Sequence, residues 1–124
     1  MYLAKGGSRR KSHRVTRLAE FPPKVRDKIR NRDGGCFFCM RGYHMEAAGG
    51  YECSIPEIMH IVPRSASGLG VEENGVLGCR YHHTLMDNGN KGLRPEMIGM
   101  LEDYMRSLYP GWSRSDVTYK KYDF

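Results

Sequence analysis

The chain has 124 residues, an apolar fraction of 40% and one tryptophan, which leaves room for one modest core with a tail at each end. No stretch approaches the apolar length that spans a bilayer, and no apolar signal segment follows the basic N-terminus, so membrane residence and secretion are not expected and a cytoplasmic setting is. The formal charge of +6 is uneven: residues 1–41 hold twelve Lys/Arg against Glu20, Asp27 and Asp33, a net +9, while the rest carries −3. A basic first third on a faintly acidic body suits a polyanion, nucleic acid first, although a solvated basic tail would look the same.

Residues 1–20, with Arg9, Arg10 and Lys11, read as a basic flexible arm that Phe21-Pro22-Pro23 ends. Lys24 to Arg32 is expected to be a short helix, with Val25 and Ile29 four residues apart, stopped by Asp33-Gly34-Gly35. A cysteine-bearing turn occupies Cys36 to Met40, and Arg41 to Gly50 is loop-like. Ile55 to Val62 is the best strand candidate, Pro63 to Glu73 a loop, and Gly75 to Gly78 a second strand. Cys79 to Asp87 has helical potential ended by Asn88-Gly89-Asn90. From Pro95 a helix carries Met97, Leu101, Tyr104 and Leu108 as one apolar stripe, assigned to packing. Val117 to Tyr122 is an edge strand or a segment wrapped on the body. The domain is therefore expected over 21–110, with a C-terminal tail at 111–124.

Cys36-Phe37-Phe38-Cys39 and Cys79-Arg80-Tyr81-His82 each set two soft donors two residues apart. That gap lets one turn aim both side chains at one ion, and two such turns complete a tetrahedron. Cys36, Cys39, Cys79 and His82 form a Cys3His set suited to structural Zn²⁺, which would pin the early turn to the late helix. The competing reading is a thiol redox pair at Cys36 and Cys39. Cys53 has no partner at ligand spacing and is expected to be a small buried residue.

His60 ends the first strand, Asn74 precedes the second, and His83 opens the helix with Asp87 four residues on, so that pair shares a helix face and can grip one ion. Asp33-Gly34-Gly35-Cys36-Phe37-Phe38-Cys39, His60-Ile61-Val62-Pro63-Arg64-Ser65 and Glu73-Asn74-Gly75 through Cys79-Arg80-Tyr81-His82-His83 closely resemble the HNH endonucleases, above all the small phage- and prophage-encoded kind with a zinc staple. The resemblance runs from about Arg26 to Gly89, half the chain. It implies an α+β fold with a ββα-metal site and flanking helices, and hydrolysis of DNA phosphodiesters, by nicking or by cutting both strands. On that mapping His60 is the general base, Asn74 orients it and pins the loop, and His83 with Asp87 holds a catalytic Mg²⁺, Mn²⁺ or other divalent ion. Arg64 would clamp a neighbouring phosphate, Arg9, Arg10 and Lys11 would add phosphate contacts, and a phage setting brings packaging proteins into view as partners.

The sequence departs from the family at one position. An Asp or His ligand usually precedes the general base, and here that residue is Met59, a poor ligand for an oxygen-seeking cation. Either His83, Asp87, water and DNA phosphate hold the ion, or Glu57 reaches in from the same side of the strand, or the site does not cut. The last option makes the chain a zinc-stapled nucleic-acid-binding protein without catalysis.

Overall fold

The computed structural model describes residues 19–46, 50–88 and 91–120. The arm residues Arg9, Arg10 and Lys11 lie outside that set, as does most of the expected arm. Helix α1 spans Pro23–Asp33, with proline in the first turn, where no N–H is needed, and the Gly34 N–H returning to the Arg30 carbonyl at 2.9 Å. Ile29 is the one buried residue of α1 and Val25 packs beside it on the same cluster, so the helix is a basic surface element docked by a narrow apolar strip. The cysteine turn closes into a single helical turn, α2, at Phe37–Met40.

Strands β1 (Pro56–His60) and β2 (Gly75–Cys79) pair antiparallel, with Pro56 opposite Cys79 and His60 opposite Gly75. The two-residue period of a strand sends Met59 and Val76 to one face and Ile58 and Leu77 to the other. The first face joins the larger core with Phe38, Met86, Met97 and Leu101. The second packs on Phe21 and Ile29. Helix α3 (Arg80–Asn88) leaves β2 directly, and α4 (Arg94–Leu108) closes the core. The chain is thus a small α+β fold in which a hairpin lies between α1 and the α3/α4 layer. Among the described residues no helix is long and apolar enough to cross a membrane.

Two expectations about packing are corrected. The buried side of α4 is Met97, Ile98, Leu101 and Met105, rotated from the expected stripe, so Tyr104 sits at its margin and Leu108, the last helical residue, is 39% exposed. Tyr104 instead donates its hydroxyl to Asp33 at 2.7 Å. The core also continues past residue 110, because Trp112 and Val117 belong to it. The C-terminal segment is held to the loop after β1, with Leu69 N–H on the Val117 carbonyl at 2.9 Å and Tyr119 N–H on the Ser67 carbonyl at 2.8 Å.

A half-buried Arg32–Asp33 ion pair locks α1 to the hairpin. The Asp33 carboxylate accepts from Arg32 at 2.7 and 2.9 Å and from the Leu77 N–H at 2.8 Å. Arg32 also donates to the carbonyls of Glu72 and Gly75. With its hydrogen bonds met on both sides, this pair ties three elements together where a lone buried charge would break them apart.

Candidate metal centre and histidine cleft

Each half of the cysteine cluster is built by the same local turn. Cys36 precedes α2 and its sulfur accepts the Cys39 N–H at 3.4 Å, and Cys79 ends β2 with its sulfur accepting the His82 N–H at 3.4 Å. The hairpin and α2 bring the two turns together, so that the donor atoms of Cys36, Cys39, Cys79 and His82 all lie within 4.8 Å of one another. His82 Nδ1 is 3.7, 3.5 and 3.3 Å from the sulfurs of Cys36, Cys39 and Cys79, and the Cys39 and Cys79 sulfurs are 3.8 Å apart. A tetrahedral zinc site has sulfur–sulfur edges of about 3.8 Å and sulfur–nitrogen edges of about 3.6 Å.

The other ring nitrogen supports the same donor set. His82 Nε2–H donates to the Tyr43 carbonyl at 2.6 Å, which fixes the tautomer and turns the Nδ1 lone pair to the sulfurs. Burial, then the neighbouring thiols, push the Cys39 thiol well above its ordinary range. A bound cation would reverse that penalty. The four residues fit zinc and could hold it. Cys53 is half-buried, not buried as expected, and lies beside the cluster, its thiol pushed up by burial and by Cys79. It is not one of the four donors.

His60 opens onto a cleft of about 420 Å³. Pro56, Glu57, Ile58 and His60 of β1 line it, together with His83 and Arg64. His60 Nε2–H donates to the Ala19 carbonyl at 2.7 Å, leaving Nδ1 as the basic nitrogen, and the ring lies 4.3 Å from that of Phe21. Close approach at Gly70 makes this seat possible, since a Cβ there would overlap the Glu20 carbonyl. Burial pushes the His60 imidazole below its ordinary range, and like charge from Arg64 and His83 adds to the effect. The Ala19 carbonyl and Asp87 oppose it.

At the same cleft, the His83 ring is held from both sides. Glu57 Oε1 is 2.9 Å from Nδ1 and Asp87 Oδ2 is 3.1 Å from Nε2. Asp87 first, then Glu57, raise the His83 imidazole above its ordinary value, while burial opposes them. Glu57 is held low by Arg80 and His83 in spite of its burial. Asp87 also pairs with Arg94 at 2.6 Å and does not line the cleft, whereas Glu57 does.

Asn74 is fully buried and acts on the loop, not on the histidine. Its Oδ1 accepts the Val62 N–H at 2.8 Å, and its Nδ2 donates to the carbonyls of Val62 and Leu69 at 3.1 and 2.8 Å. Those bonds close the loop two residues after His60, so Asn74 positions the strand end. No bond links its side chain to His60 among the described residues.

Met59 is the one β1 residue that does not line the cleft. Its side chain is 0% exposed and crosses Gly78, where a Cβ would come within 2.6 Å of the thioether. A carboxylate placed at this position therefore meets the core. Met59→Asp is expected to destabilise the fold by about 3–5 kcal/mol, since it strands an unpaired charge and removes a packed side chain. Urea denaturation of the two proteins measures it, and a loss below about 1 kcal/mol would mean the side chain can turn to the cleft.

Reading by position missed three partners of the site. A backbone carbonyl such as that of Ala19 leaves no mark on the sequence. Arg26 and Arg30, which also line the cleft, had the i, i+4 spacing to be noticed. No family model, no curated protein and no solved structure matches the chain.

Proposed function

We propose that the chain is a metal-dependent DNA endonuclease of the HNH type, carrying a structural zinc on Cys36, Cys39, Cys79 and His82 and a ββα-metal site on β1, β2 and α3. One observation carries the reading: His60 and the Glu57–His83 pair open onto one cleft whose wall holds Arg64. A histidine with a fixed tautomer beside an oxygen-and-nitrogen donor set is what metal-assisted phosphodiester hydrolysis requires.

In this mechanism the Ala19 carbonyl holds His60 Nε2–H, and His60 Nδ1 takes a proton from the attacking water. The oxygen–phosphorus bond forms as the bond from phosphorus to the 3′ oxygen breaks, leaving a 5′ phosphate and a 3′ hydroxyl once the leaving oxygen is protonated. Arg64 faces the phosphate as a donor without an acidic partner of its own among the described residues. Glu57 and His83 Nδ1 would hold the divalent cation, with Asp87 fixing the ring through Nε2. Such an ion supplies Lewis-acid neutralisation of the phosphate and the leaving oxygen. Glu57 then stands in for the ligand that Met59 does not provide.

The test is relaxation of supercoiled plasmid with Mg²⁺ or Mn²⁺. The parent nicks, and Glu57→Gln needs at least about tenfold more metal for the same rate. A folded, zinc-loaded parent that nicks under neither metal would sink the endonuclease reading. The second reading is a zinc-stapled nucleic-acid-binding protein without catalysis, favoured by the burial of Met59 in the core.

A further inference from the structure

The basic residues of α1 divide into two sets. Arg26 and Arg30, one helical turn apart, line the cleft that contains His60 and His83. Lys24 and Lys28 do not, and Lys28 pairs with Glu72 at 3.5 Å. Arg26 uses Nε–H on the Phe21 carbonyl at 3.0 Å, its one side-chain hydrogen bond among the described residues, so the rest of its donor fork is uncommitted. Arg30 holds only the exposed Asp27 at 3.2 Å, a pair easily exchanged for a stronger anion. Of the acidic residues in the cleft, Glu57 is engaged by Arg80 and His83, which leaves Glu20 as the opposing charge.

We infer that Arg26 and Arg30 of α1, together with Arg64, form a phosphate-binding wall that seats the DNA backbone in the cleft beside His60. The inference deepens the endonuclease reading and rests on it for the identity of the polymer. Guanidinium forks match phosphate oxygens in pairs, and a helix that docks through Val25, Ile29 and its C-terminal Arg32–Asp33 pair leaves Arg26 and Arg30 free to line the cleft. It assigns DNA contacts to a helix for which the sequence offered only general basic character.

The test is anisotropy of a fluorescein-labelled DNA duplex titrated with the full chain, free of divalent ions, from about 50 to 200 mM salt. Arg26→Gln with Arg30→Gln is expected to weaken binding about tenfold or more and to flatten the salt slope by about 2. Lys24→Gln with Lys28→Gln removes the same charge and should weaken binding less than about threefold, because those lysines face away from the cleft. Arg30→Gln alone, at an exposed position, should flatten the slope by about 1 and decides the matter if loss of the Arg26–Phe21 bond disturbs folding. Equal losses from the arginine and lysine pairs, or an RNA duplex bound more tightly than the DNA, would overturn the proposal. A parent that binds with the expected arginine dependence but never nicks refutes the endonuclease reading and keeps the wall. An Arg26→Gln/Arg30→Gln variant that nicks as well as the parent refutes the wall and keeps the endonuclease.

Discussion

Cys39→Ala is expected to lose its zinc and to melt more than about 10 °C below the parent, if it folds at all. The magnitude follows from comparing two terms. A domain of this size is stable by roughly 5–15 kcal/mol. Structural zinc contributes about 10–16 kcal/mol in small metal-folded peptides near neutral pH, so opening the site removes a term comparable with the whole. Cys39 is the telling position because it joins α2 to β2, 3.8 Å from the Cys79 sulfur and forty residues away in the chain. Zinc content by mass spectrometry under native conditions should read one ion per parent chain. Cys53→Ala, beside the cluster but outside the donor set, should keep the ion and most of the stability. A Cys39→Ala protein that melts with the parent would remove zinc from the account.

Replacing the histidine of the cleft gives the largest effect on chemistry. His60→Ala is expected to slow plasmid nicking by about 10²–10⁴-fold, the usual contribution of a positioned general base. Some stability goes with it, about 1–2 kcal/mol, because the ring donates to the Ala19 carbonyl and packs on Phe21. Rates should therefore be compared well below the melting temperature of the variant. The pH profile separates a base from a merely structural ring. Only neutral His60 can take a proton, and burial holds its pKa below the ordinary value of 6.5. The neutral form thus persists to lower pH, which puts the acid limb of the rate below that value. Arg64→Gln removes a like charge from the neighbourhood of the ring and should move the limb upward. A profile unmoved by Arg64→Gln, with nicking intact in His60→Ala, would take His60 out of the mechanism.

Local chemistry was legible because it is written at short range. The two-residue gaps of the cysteine motifs, the proline that opens α4 and the glycine after α1 each act within one turn, and each α-helix and strand appears within a residue or two of its expected bounds. The 3-10 turns at 51–54, 64–66, 72–74 and 114–117 were not expected. Strand β1 is shorter than expected, since Ile61 and Val62 bond to Asn74 and not along a ladder, while β2 runs one residue further to Cys79. The stripe on α4 was misjudged by part of a turn. Periodicity shows that a helix has a buried side, but the neighbours decide where its centre lies, and Met105 took the place expected of Leu108.

By itself, the sequence determined the four-residue metal set, the strand–loop–strand–helix order that carries His60, Asn74 and His83, and the basic character of the first third. These depend on donor spacing, turn chemistry and charge, all of them properties of neighbouring residues. Only the tertiary structure decided that Met59 enters the core while Glu57 reaches His83 across 26 positions of chain. Only it set the Ala19 carbonyl on His60 across 41 positions and brought Arg26 and Arg30 to the same cleft. Such contacts arise when separate elements bury their apolar faces against one another. The polar groups that meet at the rim are chosen by that packing, and no local pattern records them.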